Sequence, residues 1–176
     1  MESRKTKSRF YILLGMVLAA SFVRLIPHPP NFAPITAVAL FSGAYFVNKK
    51  FAYTIPIIAM FLTDMIIGFH SMMIAVYLSF VLIVYLGSVM LKKVKVVNVF
   101  AATIIASVVF FIITNFAVWL MGTMYPLTFS GLAACYTAAI PFFSNSLIGD
   151  LIFSAVMFGA FELIKVKFPK LSEVNA

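Results

Sequence analysis

The stretch SRKTKSRFYILLGMVLAASFVRLIPHPP (3–30) sets the reading of the whole chain. Four basic residues, Arg4, Lys5, Lys7 and Arg9, precede an apolar run from Phe10, and the run stops at Arg24 and a proline cluster. Basic residues beside membrane spans stay in the cytoplasm. The same pattern recurs down the chain. Lys49 and Lys50, then Lys92, Lys93 and Lys95, then Lys165, Lys167 and Lys170 stand between or after long apolar segments, and of the 13 Lys and Arg residues Arg24 alone lies elsewhere. If each pair of clusters brackets two crossings, the chain crosses six times with both termini inside.

Composition agrees. The chain has 176 residues, 64% of them hydrophobic and 10% charged, and a mean hydropathy of +1.11. Soluble domains are about half apolar and about one quarter charged. The net charge of +8 lies in short flanks beside apolar spans, so it faces anionic headgroups and not nucleic acid. The single cysteine, Cys135, excludes an internal disulfide. The N-terminus resembles a signal peptide, but Arg24 and prolines stand where a small-x-small cleavage site would be, so the run reads as a retained first span. The expectation is an all-α, polytopic integral membrane protein of six transmembrane helices in the cytoplasmic membrane. Residues 1–176 form one transmembrane domain, with spans at about 10–26, 33–47, 51–69, 72–91, 96–121 and 141–164.

Proline punctuates the spans. PHPPNFAP (27–34) holds four prolines in eight residues and cannot be regular helix. The second span is short for a hydrocarbon core of about 30 Å, so it is tilted or starts below the outer surface with the loop dipping in. Pro56 is expected to bend the third span. Residues 122–140 are uncharged; GLAACYTAAI (131–140) is compatible with a short helix packed on protein at the outer surface. Small residues at packing spacing (Gly15 with Ala19; Thr36, Ala39 and Gly43; Ala102 with Ala106; Ala155 with Gly159) let helices approach within the bundle or dock a partner.

The topology sends the uncommon polar residues to the outer half. Arg24 ends the first span, His28 and Asn31 lie in the proline loop, Asp64 is near the outer end of the third span and His70 follows it. Asn115 and Trp119 occupy the outer part of the fifth span, Asn145 and Asp150 that of the sixth. An ionised Asp at the bilayer centre costs about 3 kcal/mol on insertion scales, so Asp64 and Asp150 are expected to face the bundle or a cavity. Arg24, the only cation on that side, is their expected partner. One reading is a buried network that fixes helix packing. The other is an outward pocket for a small molecule. Arg24, His28, Asn31, Asp64, Asn115, Trp119, Asn145 and Asp150 would line or brace it, with Tyr125, Tyr136 and Phe143 as walls. His28 could serve a rigid loop or a ligand, and His70 is expected to cap a helix C-terminus. No ligand spacing supports a metal site, and no cofactor is implied.

Enzyme signatures are missing. GxxxxGK[ST], HExxH and GxSxG do not occur, and the reading is not an enzyme. LIGD (147–150) lacks the first glycine of the GxGD signature of intramembrane aspartyl proteases, and Thr63 stands where that family has the Tyr before its other catalytic Asp.

RLIPHPPNFAPITAVALFSGAYF (24–46) resembles the signature, RLxPHPPNFxP, of a bacterial family of uncharacterised six-span membrane proteins. DMIIGFH (64–70), TNFAVWL (114–120), YPLTFSGLAACYTAAIPFF (125–143) and NSLIGDLIF (145–153) are similar to it too. In architecture the chain resembles the substrate-binding S components of energy-coupling-factor transporters. That resemblance implies a vitamin-like ligand taken from outside under the loop between the first two spans, a membrane coupling subunit, and separate ATPases. Met1-Glu2-Ser3 lacks the Met-x-His of the metal-ion members. Two rivals stand beside capture for uptake: a structural or assembly protein without a ligand, and a stand-alone proton-coupled carrier using Asp64 or Asp150.

Overall fold

The computed structural model describes residues 2–171, with side chains from Lys7 onward except that of Lys170. Arg4, Lys5 and Lys170 of the basic clusters therefore fall outside the described side chains. All regular structure among the described residues is helical: α1 (Glu2–Phe22), α2 (Ile35–Tyr45), α3 (Lys49–Ile67), α4 (Met73–Met90), α5 (Val96–Met121) and α6 (Phe129–Lys167), with 3-10 turns at Val23–Leu25 and Pro169–Leu171. Five of these helices are long and apolar enough to cross a membrane. Large apolar side chains such as Ile66, Ile74, Val96 and Val166 are at least 66% exposed on their outer faces. Water does not tolerate such a surface, whereas lipid does. The chain is an all-α protein built for a bilayer.

The sixth helix, α2, is different. It has 11 residues and is about 16 Å long, too short to cross alone. It is also the hub, packing against all five other helices. Every residue from Thr36 to Tyr45 except Ala44 is buried. Gly43 lies so close to the α4 backbone at Val84 that a Cβ would overlap it, and Gly87 of α4 meets the α2 backbone at Leu40 in the same way. Ala102 and Ala106 are fully buried. These small residues pack the bundle itself. Gly15 and Gly159 have nothing within 4 Å of an added Cβ.

The helix ends alternate. Arg9 of α1 donates to the Tyr45 carbonyl at the end of α2 and to the Leu171 carbonyl beyond α6, both at 3.3 Å. Arg24, in the 3-10 turn that follows α1, meets Thr63 and Asp64 near the end of α3. Lys7, Arg9, Lys49, Lys50, Lys92, Lys93, Lys95, Lys165 and Lys167 thus gather at one end, called here the basic end.

Two expectations need correction. The helix runs from Phe129 straight through Pro141, so 131–140 is not a separate surface helix but the first turns of a 39-residue α6. Pro141 forfeits one backbone bond, a loss that a neighbouring helix can absorb. The extension is tied to the end of α5: Tyr136 donates to the Ile112 carbonyl at 2.7 Å, Cys135 to that of Asn115 at 3.5 Å, and Trp119 to that of Pro126 at 3.0 Å. Second, α3, which holds Pro56 inside it, stops at Gly68, whose φ of 108° ends the helix where a side chain would be strained. A cap from His70 is not what closes it.

Candidate functional site

The proline loop is ordered by its own chemistry. The Phe32 N–H bonds the Pro29 carbonyl at 3.0 Å, and Asn31 has φ 62°. Proline second and a left-handed residue third is the pattern of a type II turn, and Asn tolerates that conformation better than other non-glycine residues. One stripe of α6 holds the turn down. Asn145 donates to the Pro30 carbonyl at 3.2 Å, Phe32 lies on Gly149, and the Phe32 and Phe153 rings are 5.6 Å apart. Residues 145, 149 and 153 are four apart, hence on one helix face.

The chain then enters α2 deep in the bundle. Pro34, the N-cap, offers no side-chain bond to the first turn. Asp150 of α6 lies beside that first turn. Its carboxylate accepts from Ser107 of α5 at 2.6 Å and lies near the hydroxyl and the backbone N–H of Thr36. The Thr36 N–H belongs to the first turn and has no partner within the helix. A carboxylate there also suits the helix dipole. Ser107 and Asp150 lie well inside their own helices, so α2 begins at mid-depth.

Above that starting point the bundle lacks a helix, and the proline loop fills the space only in part. A cavity of about 470 Å³ remains. Its floor is Thr36, Ser107 and Asp150; α5 contributes Phe110, Phe111, Thr114 and Asn115; α6 contributes Phe142, Phe143 and Ser146; Arg24, His28, Asn31 and His70 complete the rim. The Phe111 and Phe143 rings pack at 4.8 Å.

Arg24 is anchored behind this wall. It pairs with Asp64 at 2.9 Å and donates to the Thr63 hydroxyl at 2.7 Å and the Met60 sulfur at 3.0 Å. The other Asp64 oxygen accepts from Tyr77 at 2.8 Å. This cluster, with Asp64 1% exposed, joins the 3-10 turn after α1 to α3 and α4. A guanidinium has five N–H groups. Three bonds are made here, so donors remain on a side chain that lines the cavity. Among the described residues no three His, Cys, Asp or Glu side chains come together to hold a metal.

Residues 4–171 match a protein family described as a family of unknown function (DUF6580). The chain belongs to this family. No curated protein matches the chain, and no solved structure matches it.

In this family member five of the eight residues singled out in the sequence, Arg24, His28, Asn31, Asn115 and Asp150, line one cavity. Three do not. Asp64 stands behind Arg24, Asn145 holds the loop by the Pro30 carbonyl, and Trp119 ties the turn before α6. Phe143 is a wall as expected, but Tyr125 and Tyr136 are not. Asp150 does not pair with Arg24; it accepts from Ser107 beside the start of α2. Sequence reading missed Ser107, Thr114 and Ser146 as lining residues and took Thr36 for a packing residue. The available signal was spacing: Thr103 and Ser107, one turn apart on α5, meet Ser154 and Asp150, one turn apart on α6.

Proposed function

We propose that the protein captures a small molecule from the side opposite its basic end, as the membrane-embedded binding subunit of an uptake transporter. In this reading the chain crosses the cytoplasmic membrane six times, counting the proline loop with α2 as one crossing, and both termini are cytoplasmic. It acts like the substrate-binding S components, with a coupling subunit and ATPases as separate chains. The observation that carries the reading is the cavity. It lies above the start of α2, and it has the size and the mixed aromatic and hydrogen-bonding lining of a small-molecule site. The proline loop, braced by Asn145, borders it through His28 and Asn31.

The test is native mass spectrometry of the full chain, purified from its host in mild detergent after growth with and without micronutrient starvation. The expected result is a co-purifying small molecule, together with coupling and ATPase subunits. A bare chain under every growth condition contradicts the reading.

One observation favours a second reading, a structural protein without a ligand. Arg24, Asp64 and Asp150 already have partners within the chain. That reading explains the clusters but leaves the cavity without a role.

A further inference from the structure

The formal charges of the cavity region do not balance. In this half of the bundle the described residues carry three: Arg24, Asp64 and Asp150. The ion pairs among the described residues join Arg24 to Asp64 and Lys165 to Glu162; Asp150 is in neither. Its hydrogen bond from Ser107 satisfies a lone pair but brings no positive charge. The α2 N-terminus offsets roughly half a unit. Asp150 therefore stands at the cavity floor without a counter-ion, 3% exposed, at a depth where a carboxylate either takes up a proton or meets a cation. Around it, Phe110, Phe111, Phe142 and Phe143 line the walls. Ring faces attract cations and have nothing to offer an anion. Arg24 does not reverse this, because Asp64 cancels its charge and leaves it as an N–H donor.

Resting on the capture reading above, we propose that the ligand is an organic cation. It has a protonated or quaternary nitrogen held toward Asp150, a flat or apolar body against the phenylalanines, and a hydrogen-bond acceptor toward Arg24. A proton-only carrier has no use for that aromatic wall.

The test uses three probes of one skeleton, benzylammonium, benzyl alcohol and benzoate, titrated against the full chain in an uncharged maltoside detergent and read by saturation-transfer NMR. Benzylammonium is expected to bind at least about tenfold more tightly than the other two, a difference of about 1.4 kcal/mol. Asp150→Asn keeps an oxygen to accept from Ser107, so its melting temperature is expected to hold while the preference falls to within about twofold, as one counter-ion is removed. Phe143→Leu keeps apolar bulk but removes a ring face, and is expected to cut the preference about threefold. If Asp150→Asn does not fold, Phe143→Leu decides.

Benzoate or benzyl alcohol binding as tightly as benzylammonium overturns the cation assignment and leaves the capture reading standing. A preference unchanged in a folded Asp150→Asn or in Phe143→Leu overturns it too. So does binding by none of the three; a ligand in the native mass spectrum then still supports capture, and an empty spectrum ends both.

Discussion

The two ends of α2 sit in opposite surroundings. At its C-terminal end, Phe41 and Tyr45 interlock with Phe158 and Phe161 at ring separations of 4.5 to 5.8 Å. There Gly43 brings the α4 backbone into contact. Tyr45 donates to Glu162, which also pairs with Lys165 at 2.6 Å. At its N-terminal end the helix opens onto a cavity of about 470 Å³ lined by Asn, Ser, Thr and His side chains. One cause produces both. A helix of 11 residues fills only about half the bundle's depth. The filled half can be close-packed with small residues and aromatics, and the unfilled half becomes a cavity bordered by a loop. The polar residues of the far half are then of two kinds: braces that hold the frame around the gap, and lining groups that face it.

Substitutions separate these kinds. Removing a brace has the largest expected effect. Asp64→Leu leaves the Arg24 guanidinium, with an 11% exposed side chain, without its charge partner. Breaking such a pair costs about 3–5 kcal/mol. Melting in detergent measures the loss. The double variant Arg24→Leu/Asp64→Leu is expected to regain a good part of it, and a double variant no better than the single one refutes the brace. Next comes Gly43→Val in the close-packed half. The new side chain meets the backbone of α4, not a movable side chain, and the expected loss is about 3 kcal/mol. A fully stable Gly43→Val would mean that α2 and α4 do not touch as described.

The loop is intermediate. Asn31→Val places a β-branched residue at φ 62°, for an expected cost of about 1–2 kcal/mol, whereas Asn31→Gly keeps the turn. Equal melting temperatures for the two would remove the left-handed turn from the account. The smallest effect belongs to the lining. The Asn115 side chain bonds the Phe111 carbonyl of its own helix, so Asn115→Leu is expected to shift stability by no more than about 0.5 kcal/mol while weakening any bound ligand. A large loss of stability would make Asn115 a brace.

Much of the frame was legible because lipid imposes simple rules. Apolar runs between basic clusters located α1, α3, α4 and α5, and Arg24, lacking any rival cation nearby, pointed to its pairing with Asp64. PHPPNFAP (27–34) announced a short α2, although whether it tilted or began deep depended on which helices it met. Asp150 was assigned the wrong partner for a physical reason. A carboxylate's strongest pairing in sequence is with a cation, but the tertiary fold brought it the Ser107 hydroxyl beside the start of α2. Continuity of α6 through Pro141 was hidden because proline's local rule predicts a break, and the contacts that override it come from α5, more than 20 residues away. Ser107 and Ser146 stayed unseen because single hydroxyls in an apolar helix look the same whether they face a neighbour or a void.

The central claim is that the space above α2 is a cavity entered from the end opposite the basic clusters. Cysteine accessibility tests it most directly. In a Cys135→Ser background, Ser146→Cys places a thiol on the cavity wall and Ser42→Cys places one in the fully buried part of α2. A small membrane-impermeant thiol reagent is applied to intact cells and to inside-out vesicles. The account predicts labelling of Ser146→Cys in cells and none of Ser42→Cys in either preparation. Labelling of Ser146→Cys only in inside-out vesicles, or in neither preparation, would contradict it.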